Sequence, residues 1–181
     1  MKIRKGFVSN SSSSSFIVTF KEVPKSKKEL QKILFGKRKE YPSPYGTEFF
    51  STDRVAEIVW NDMKNGPVTS YAEIREEIYH GYPADIPRWF DHIDRKPPSY
   101  SDFMISVGKK SWDAKYDEDA FEKAYDKWAA QFERIAANED DIKEGKVFKF
   151  EYADDHGALG CAMEHGTLFQ NARHSFKISK H

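Results

Sequence analysis

Hydrophobic positions along the chain recur with a helical period most clearly over residues 117–138. There Phe121, Tyr125, Trp128, Phe132 and Ile135 follow one another at steps of three or four residues. This spacing places all five side chains on one stripe of an α-helix. A stripe of this kind is typical of a helix face that packs in a hydrophobic core.

Shorter helices are predicted where a capping residue precedes a helical hydrophobic pattern. Ser26 caps the first of them, and Gly36 ends it. Two further helices are predicted over residues 52–64 and 70–80, the second of which begins with a capping box. Residues 41–50 contain two prolines and a glycine between aromatic side chains, which predicts a loop.

Extended segments lie near both ends of the chain. Residues 16–20 are β-branched or aromatic and predict the first strand. Near the C-terminus, residues 147–152 and 175–179 also predict strands. A hairpin turn at 154–157 and a returning strand over 158–164 are expected between them, with Gly160 allowing a bulge or a close backbone approach.

Together these elements predict an α+β domain. Its small antiparallel sheet would combine the N-terminal strand with a C-terminal three-stranded meander. The helices 52–64, 70–80 and 117–138 are expected to pack on one face of this sheet. Residues 1–15 are expected to form a flexible, serine-rich basic lead, and residues 16–181 a single domain.

The chain opens with Met-Lys-Ile-Arg-Lys-Gly-Phe-Val-Ser-Asn-Ser-Ser-Ser-Ser-Ser-Phe over residues 1–16. This opening resembles that of a set of bacterial and phage proteins of unknown function, whose bodies are otherwise varied. The C-terminal ends of some of these proteins are similar to this chain at Glu164-His165-Gly166, Phe169, His174, Ile178-Ser179 and His181. The resemblance implies an association with mobile elements and carries over no activity.

Composition limits the class of protein. The 181 residues contain no apolar run close to the roughly 18 residues that a membrane span needs, so we expect no membrane association. Cys161 is the single cysteine, which excludes an internal disulfide framework and favours a reducing compartment. A cytoplasmic protein is therefore expected, and the sequence gives no oligomeric state.

The neutral total charge conceals a basic head and an acidic body. Residues 1–39 carry eleven basic and two acidic side chains, a net charge of +9, and residues 40–181 carry −9. An acidic protein surface or a nucleic acid is the expected partner of the head. The predicted contact residues are Lys25, Lys27, Lys28, Lys32, Lys37, Arg38 and Lys39. Alternatively, the head attracts the body, or the lysines cover a solvated helix face.

Histidines concentrate at the C-terminus and are the main candidates for chemistry. His156, His165, His174 and His181 lie in the last 26 residues, at spacings that match no short zinc motif. If the tail forms adjacent antiparallel strands, His165 and His174 face each other, and Glu164 can act as the base for a metal-bound water.

His156 and His181 would then meet at the opposite end of these strands, beside Asp154. Zinc or iron would suit either group of ligands. The alternative is that all of these histidines lie at hairpin ends on the surface. A separate Ser-His-Asp triad is disfavoured because no Gly-x-Ser-x-Gly motif is present.

No strong catalytic motif is found, so the sequence favours a non-enzymatic function. We expect an intracellular accessory or regulatory binding protein whose basic N-terminal region meets an acidic partner or polyanion. The alternative is a metal-dependent hydrolase that uses the C-terminal histidines with Glu164. Cys161 is expected to be inert packing rather than a nucleophile.

Overall fold

The computed structural model describes residues 13–79, 82–83 and 118–180. In this part of the chain, a four-stranded antiparallel sheet forms the centre of the fold. Its strands are β1 (Ser13–Thr19), β4 (Tyr82–Pro83), β5 (Val147–Ala153) and β6 (His174–Lys180). They lie in the order β4-β6-β1-β5, so that β1 is between β5 and β6 and pairs with both along its whole length.

Helices and a second, two-stranded sheet surround the central sheet and confirm the predicted α+β class. The helices are α1 (Lys27–Phe35), α2 (Thr52–Asp62), α3 (Tyr71–Tyr79), α4 (Glu118–Ala136), α5 (Glu139–Lys143) and α6 (Gly157–His165). The second sheet is a hairpin of β2 (Glu40–Pro42) and β3 (Phe49–Ser51). Residues 41–50 were predicted as a loop, and the two short strands correct that prediction.

Both faces of the central sheet are covered by helices, so the prediction that the helices pack on one face is wrong. Phe16 and Val18 of β1 share a core with α1, α2 and α6, whereas Ile17 points into a second core with α3 and α4. All three side chains are at most 6% exposed. A strand that is apolar at consecutive positions needs cover on both of its faces.

The structure also corrects the prediction of a C-terminal three-stranded meander. The segment predicted as a returning strand over 158–164 belongs to helix α6, and β5 and β6 each pair with β1. This segment is rich in alanine, leucine and methionine, which favour a helix over a strand. The predicted close backbone approach at Gly160 is present, because a Cβ there would lie 2.3 Å from the carbonyl oxygen of Ala153.

Other local predictions are confirmed. The Ser26 side chain accepts a 3.2 Å hydrogen bond from the amide of Glu29 at the start of α1, and Gly36 ends this helix with a positive φ of 61°. Helix α4 corresponds to the predicted helix over 117–138, and Trp128 and Phe132 of its stripe are buried.

The serine run enters the sheet earlier than predicted. Ser13 to Ser15 form the first half of β1, so the boundary expected after residue 15 falls inside a strand. Residues 1–12 of the predicted lead lie outside the described residues. Within the described ranges, no helix combines the length and the apolar character that crossing a lipid bilayer requires.

Candidate functional sites

A basic groove of about 480 Å³ lies between α1 and the start of α2. Gly36, with its positive φ, turns the chain out of α1 into residues 37–39. Thr52 holds that segment against α2, because its amide donates to Lys39 O at 3.0 Å and its hydroxyl donates to Arg38 O at 3.1 Å. The groove is lined by Lys28, Gln31, Lys32, Gly36, Lys37, Arg38, Lys39, Ser51, Thr52 and Asp53.

The charge of this groove is strongly positive. Five of the seven predicted contact residues line it: Lys28, Lys32, Lys37, Arg38 and Lys39. Each of these five side chains is exposed to solvent. Among the described residues, Asp53 is the single acidic lining residue, and Lys27 forms an ion pair with it at 2.9 Å. Lys25, the last of the seven, does not line the groove.

An exposed aromatic side chain lies two residues before the groove-lining Ser51 in β3. In β3, residues 49 and 51 point to the same side because side chains alternate along a strand, and their Cα atoms are about 7 Å apart. Ser51 lines the groove, and the Phe49 ring is 62% exposed. Phe50 lies between them and packs against the core on the other side of the hairpin.

A second candidate site lies where α6 ends beside the turn that follows β5. One ligand atom each from Asp154, Glu164 and His165 lies within 4.8 Å of the other two. Glu164 is fully buried, and its carboxylate accepts a 3.2 Å hydrogen bond from the Ser14 hydroxyl of β1. The other carboxylate oxygen lies 3.4 Å from His165 Nε2. We call this group the carboxylate–imidazole cluster.

The predicted pair of His165 and His174 does not form. His174 lies at the start of β6, opposite Thr19, and its Nε2 is 2.8 Å from the carbonyl oxygen of Ile135 on α4. Glu164 instead accepts a hydrogen bond from Ser14. Ser14 and Thr19 are about 17 Å apart along β1, so Glu164 and His174 lie near opposite ends of this strand. Burial lowers the pKa of His174. Its hydrogen bond with the Ile135 carbonyl oxygen raises the pKa, but burial has the larger effect.

Of the other predicted group, only Asp154 joins the cluster among the described residues. His156 is exposed and lies 3.7 Å from Asp155, outside the cluster. His181 lies outside the described residues. The structure therefore combines Asp154 from one predicted group with Glu164 and His165 from the other. This happens because the intervening segment is a helix with a glycine turn at its start.

Cys161 lies on α6 rather than in the predicted strand. Burial raises the pKa of its thiol, and the negative charges of Asp154 and Glu164 raise it further. A thiol with a raised pKa is a weak nucleophile at neutral pH, which supports an inert role.

An ion cluster around the buried Glu77, on the opposite face of the sheet, was missed by sequence reasoning. Glu77 of α3 accepts hydrogen bonds from Ser15 at 2.5 Å and Lys149 at 2.7 Å, and Lys180 contacts it at 2.9 Å. Glu77 occupies a core-facing helix position between Ile74 and Ile78, and a charged residue on an apolar face was the only available signal.

Comparison with protein-family models, curated proteins and solved structures gave no match. The geometry of the two candidate sites therefore carries the functional argument.

Proposed function

We propose that this protein is a binding protein that holds the phosphate backbone of a single-stranded nucleic acid in the basic groove. The observation that carries the proposal is the convergence of five exposed cationic side chains on one groove. In the described part of the chain, one acidic residue lines the groove, Asp53, and it is paired with Lys27. The groove therefore keeps a large excess of positive charge.

The arrangement suits a chain of phosphates. Lysine ammonium groups on flexible stems act as point charges, and they neutralise phosphates without reading the base sequence. The released counterions make such binding strongly dependent on salt. The lining cations come both from α1 and from residues 37–39, so a polymer that occupies the groove can contact several of them.

Phe49 favours a single strand over a duplex or an acidic protein surface. Its exposed ring lies on the same side of β3 as Ser51 of the groove. An unpaired base can stack on such a ring while the adjacent phosphates contact the lysines. In a duplex both faces of a base are already stacked on the neighbouring base pairs, and an acidic side chain has no aromatic face to stack on the ring.

Fluorescence anisotropy with a labelled oligo-dT of 20 nucleotides tests the proposal. We expect the logarithm of the binding constant to fall linearly with the logarithm of salt concentration, with a slope of about −3.5 for five phosphates. A duplex of equal length should bind more weakly. A flat salt response, or binding of poly-glutamate without binding of oligo-dT, would overturn the proposal and indicate an acidic protein partner.

The stacking component has its own test. Phe49→Ala should weaken oligo-dT binding by about 1–3 kcal/mol and leave the salt slope unchanged, because the ring carries no charge. Tyr45→Ala is the matched control, since Tyr45 is 72% exposed and lies in the loop of the same hairpin. Equal losses for the two variants would argue against stacking at Phe49.

A further inference from the structure

We propose that the carboxylate–imidazole cluster of Asp154, Glu164 and His165 binds one divalent transition-metal ion of the Zn²⁺ or Mn²⁺ type. This site is separate from the basic groove, and no reaction is assigned to it.

The distances between the three side chains suit such an ion. Oxygen and nitrogen ligands about 2.1 Å from zinc lie roughly 3 to 4 Å from one another. The ligand atoms of the cluster lie within 4.8 Å of one another, and the Glu164–His165 distance is 3.4 Å. Small side-chain rotations would therefore complete the geometry without a change in the backbone.

The electrostatics of the cluster favour a cation. Two carboxylates lie close together, and one of them, Glu164, is fully buried. Adjacent negative charges repel each other, and the repulsion is strongest where water is excluded. Lys177 Nζ donates a 2.8 Å hydrogen bond to the backbone carbonyl of Glu164 and places one positive charge nearby, and a divalent ion between the two carboxylates would offset their repulsion directly. The Ser14 hydroxyl already orients one oxygen of Glu164, as outer contacts commonly orient metal ligands.

The fold holds the ligands in place from two sides. Asp154 begins the turn after β5, whereas Glu164 and His165 end α6. Gly160 fixes the distance between these elements, because only a glycine can lie this close to the Ala153 carbonyl oxygen. Asp154 and His165 are partly exposed, so an ion can enter from solvent. The Tyr45 ring covers one side of His165, with ring centres 5.3 Å apart.

The ligand types indicate the class of metal. One imidazole with two carboxylates suits zinc, manganese or iron, whereas calcium and magnesium prefer oxygen ligands alone. Three protein ligands also leave one coordination position for water. We therefore expect Zn²⁺ and Mn²⁺ to bind, and Ca²⁺ to bind more weakly than Zn²⁺.

Isothermal titration calorimetry of the full chain, freed of metal, tests the site with Zn²⁺, Mn²⁺ and Ca²⁺ in turn. We expect one equivalent of Zn²⁺ to bind, and Asp154→Asn or His165→Gln to weaken this binding at least about tenfold. The matched controls are Asp155→Asn and His156→Gln, which remove the same chemical groups from the exposed neighbouring pair. They should leave binding unchanged.

A second measurement needs no variant of the cluster, in case one of them does not fold. Substoichiometric Mn²⁺ should broaden the NMR signals of the His165 ring before those of the His156 ring. The proposal is overturned if Zn²⁺ does not bind, if Ca²⁺ binds more tightly than Zn²⁺, if the control variants lose binding as much as the cluster variants, or if the His156 ring broadens first.

Discussion

Ser15 donates a 2.5 Å hydrogen bond to the carboxylate of Glu77 and so joins the serine run at the start of β1 to helix α3. Lys149 and Lys180 contact the same carboxylate from the two strands that flank β1. Burial alone would raise the pKa of Glu77, but the bonds from Lys149, Ser15 and Lys180 outweigh it and lower the pKa to about 2. A buried charge is thus held by three strands at once.

Glu77 makes stability depend on pH. A carboxyl group with a depressed pKa in the folded state stabilises the fold above its unfolded pKa, near 4.5, and this contribution is lost as the pH falls toward about 2. The shift corresponds to about 3 kcal/mol. Glu77→Gln should therefore be less stable than wild type at pH 7, and the difference should close between pH 4.5 and 2.

Urea unfolding at a series of pH values measures this effect. Glu76→Gln is the control, because Glu76 is the exposed neighbour of Glu77 on α3. The unfolding free energy of this variant should change with pH in the same way as that of wild type. If the difference between wild type and Glu77→Gln is the same at pH 7 and pH 2.5, the role given to Glu77 is wrong.

Thr19 offers a substitution that should stabilise the protein. Its hydroxyl is buried and, among the described residues, is the one buried side-chain polar atom without a hydrogen-bond partner. Thr19→Val keeps the shape and removes the unsatisfied group, so the free energy of unfolding should rise by up to about 1 kcal/mol. Chemical denaturation at neutral pH provides the measurement.

Thr52→Val is the matched control for Thr19. Thr52 is equally buried, but its hydroxyl donates to Arg38 O and accepts from Gln31 Nε2, both at 3.1 Å. This substitution should lower the free energy of unfolding by about 1–2 kcal/mol. Equal destabilisation by the two valine variants would contradict the interpretation of Thr19.

Gly160 tests the packing of α6 against β5. Alanine normally stabilises a helix relative to glycine by about 1 kcal/mol. Here the new Cβ would lie 2.3 Å from Ala153 O and 2.6 Å from His156 Cβ, so Gly160→Ala should instead destabilise by about 1–3 kcal/mol. Thermal unfolding measures this change.

Gly46→Ala is the comparison for Gly160, because its Cβ would meet only ordinary contacts at 3.9 Å. It should leave the melting temperature nearly unchanged. A Gly160→Ala variant more stable than wild type would show that α6 does not approach β5 as closely as described.

Local signals predicted the helices well. Ser26 and Gly36 act on their own turn of α1, and the stripe of α4 repeats over several turns, so neither depends on distant residues. Residues 158–164 were misread because a short apolar run fits either a strand or a helix. The placement of β1 between β5 and β6 is a long-range pairing that no local pattern encodes.

The basic groove and the carboxylate–imidazole cluster also differ in how far the sequence predicts them. The sequence predicted the cations of the basic groove because they are close together along the chain, and one glycine turn brings them to the same surface. The sequence predicted the carboxylate–imidazole cluster only in part. Its residues were all named from the sequence, but their grouping depended on the conformation of the segment between Asp154 and Glu164.

The most direct test of the proposed function compares two triple variants in oligo-dT binding at several salt concentrations. The groove variant changes Lys28, Lys32 and Lys37 to glutamine. The control variant changes the exposed Lys21, Lys123 and Lys127 to glutamine, so that both variants have the same net charge. We expect the groove variant to lose at least about tenfold in affinity and about two to three units of salt slope, and the control to stay close to wild type. Equal losses in both variants, or none in the groove variant, would contradict binding in the groove.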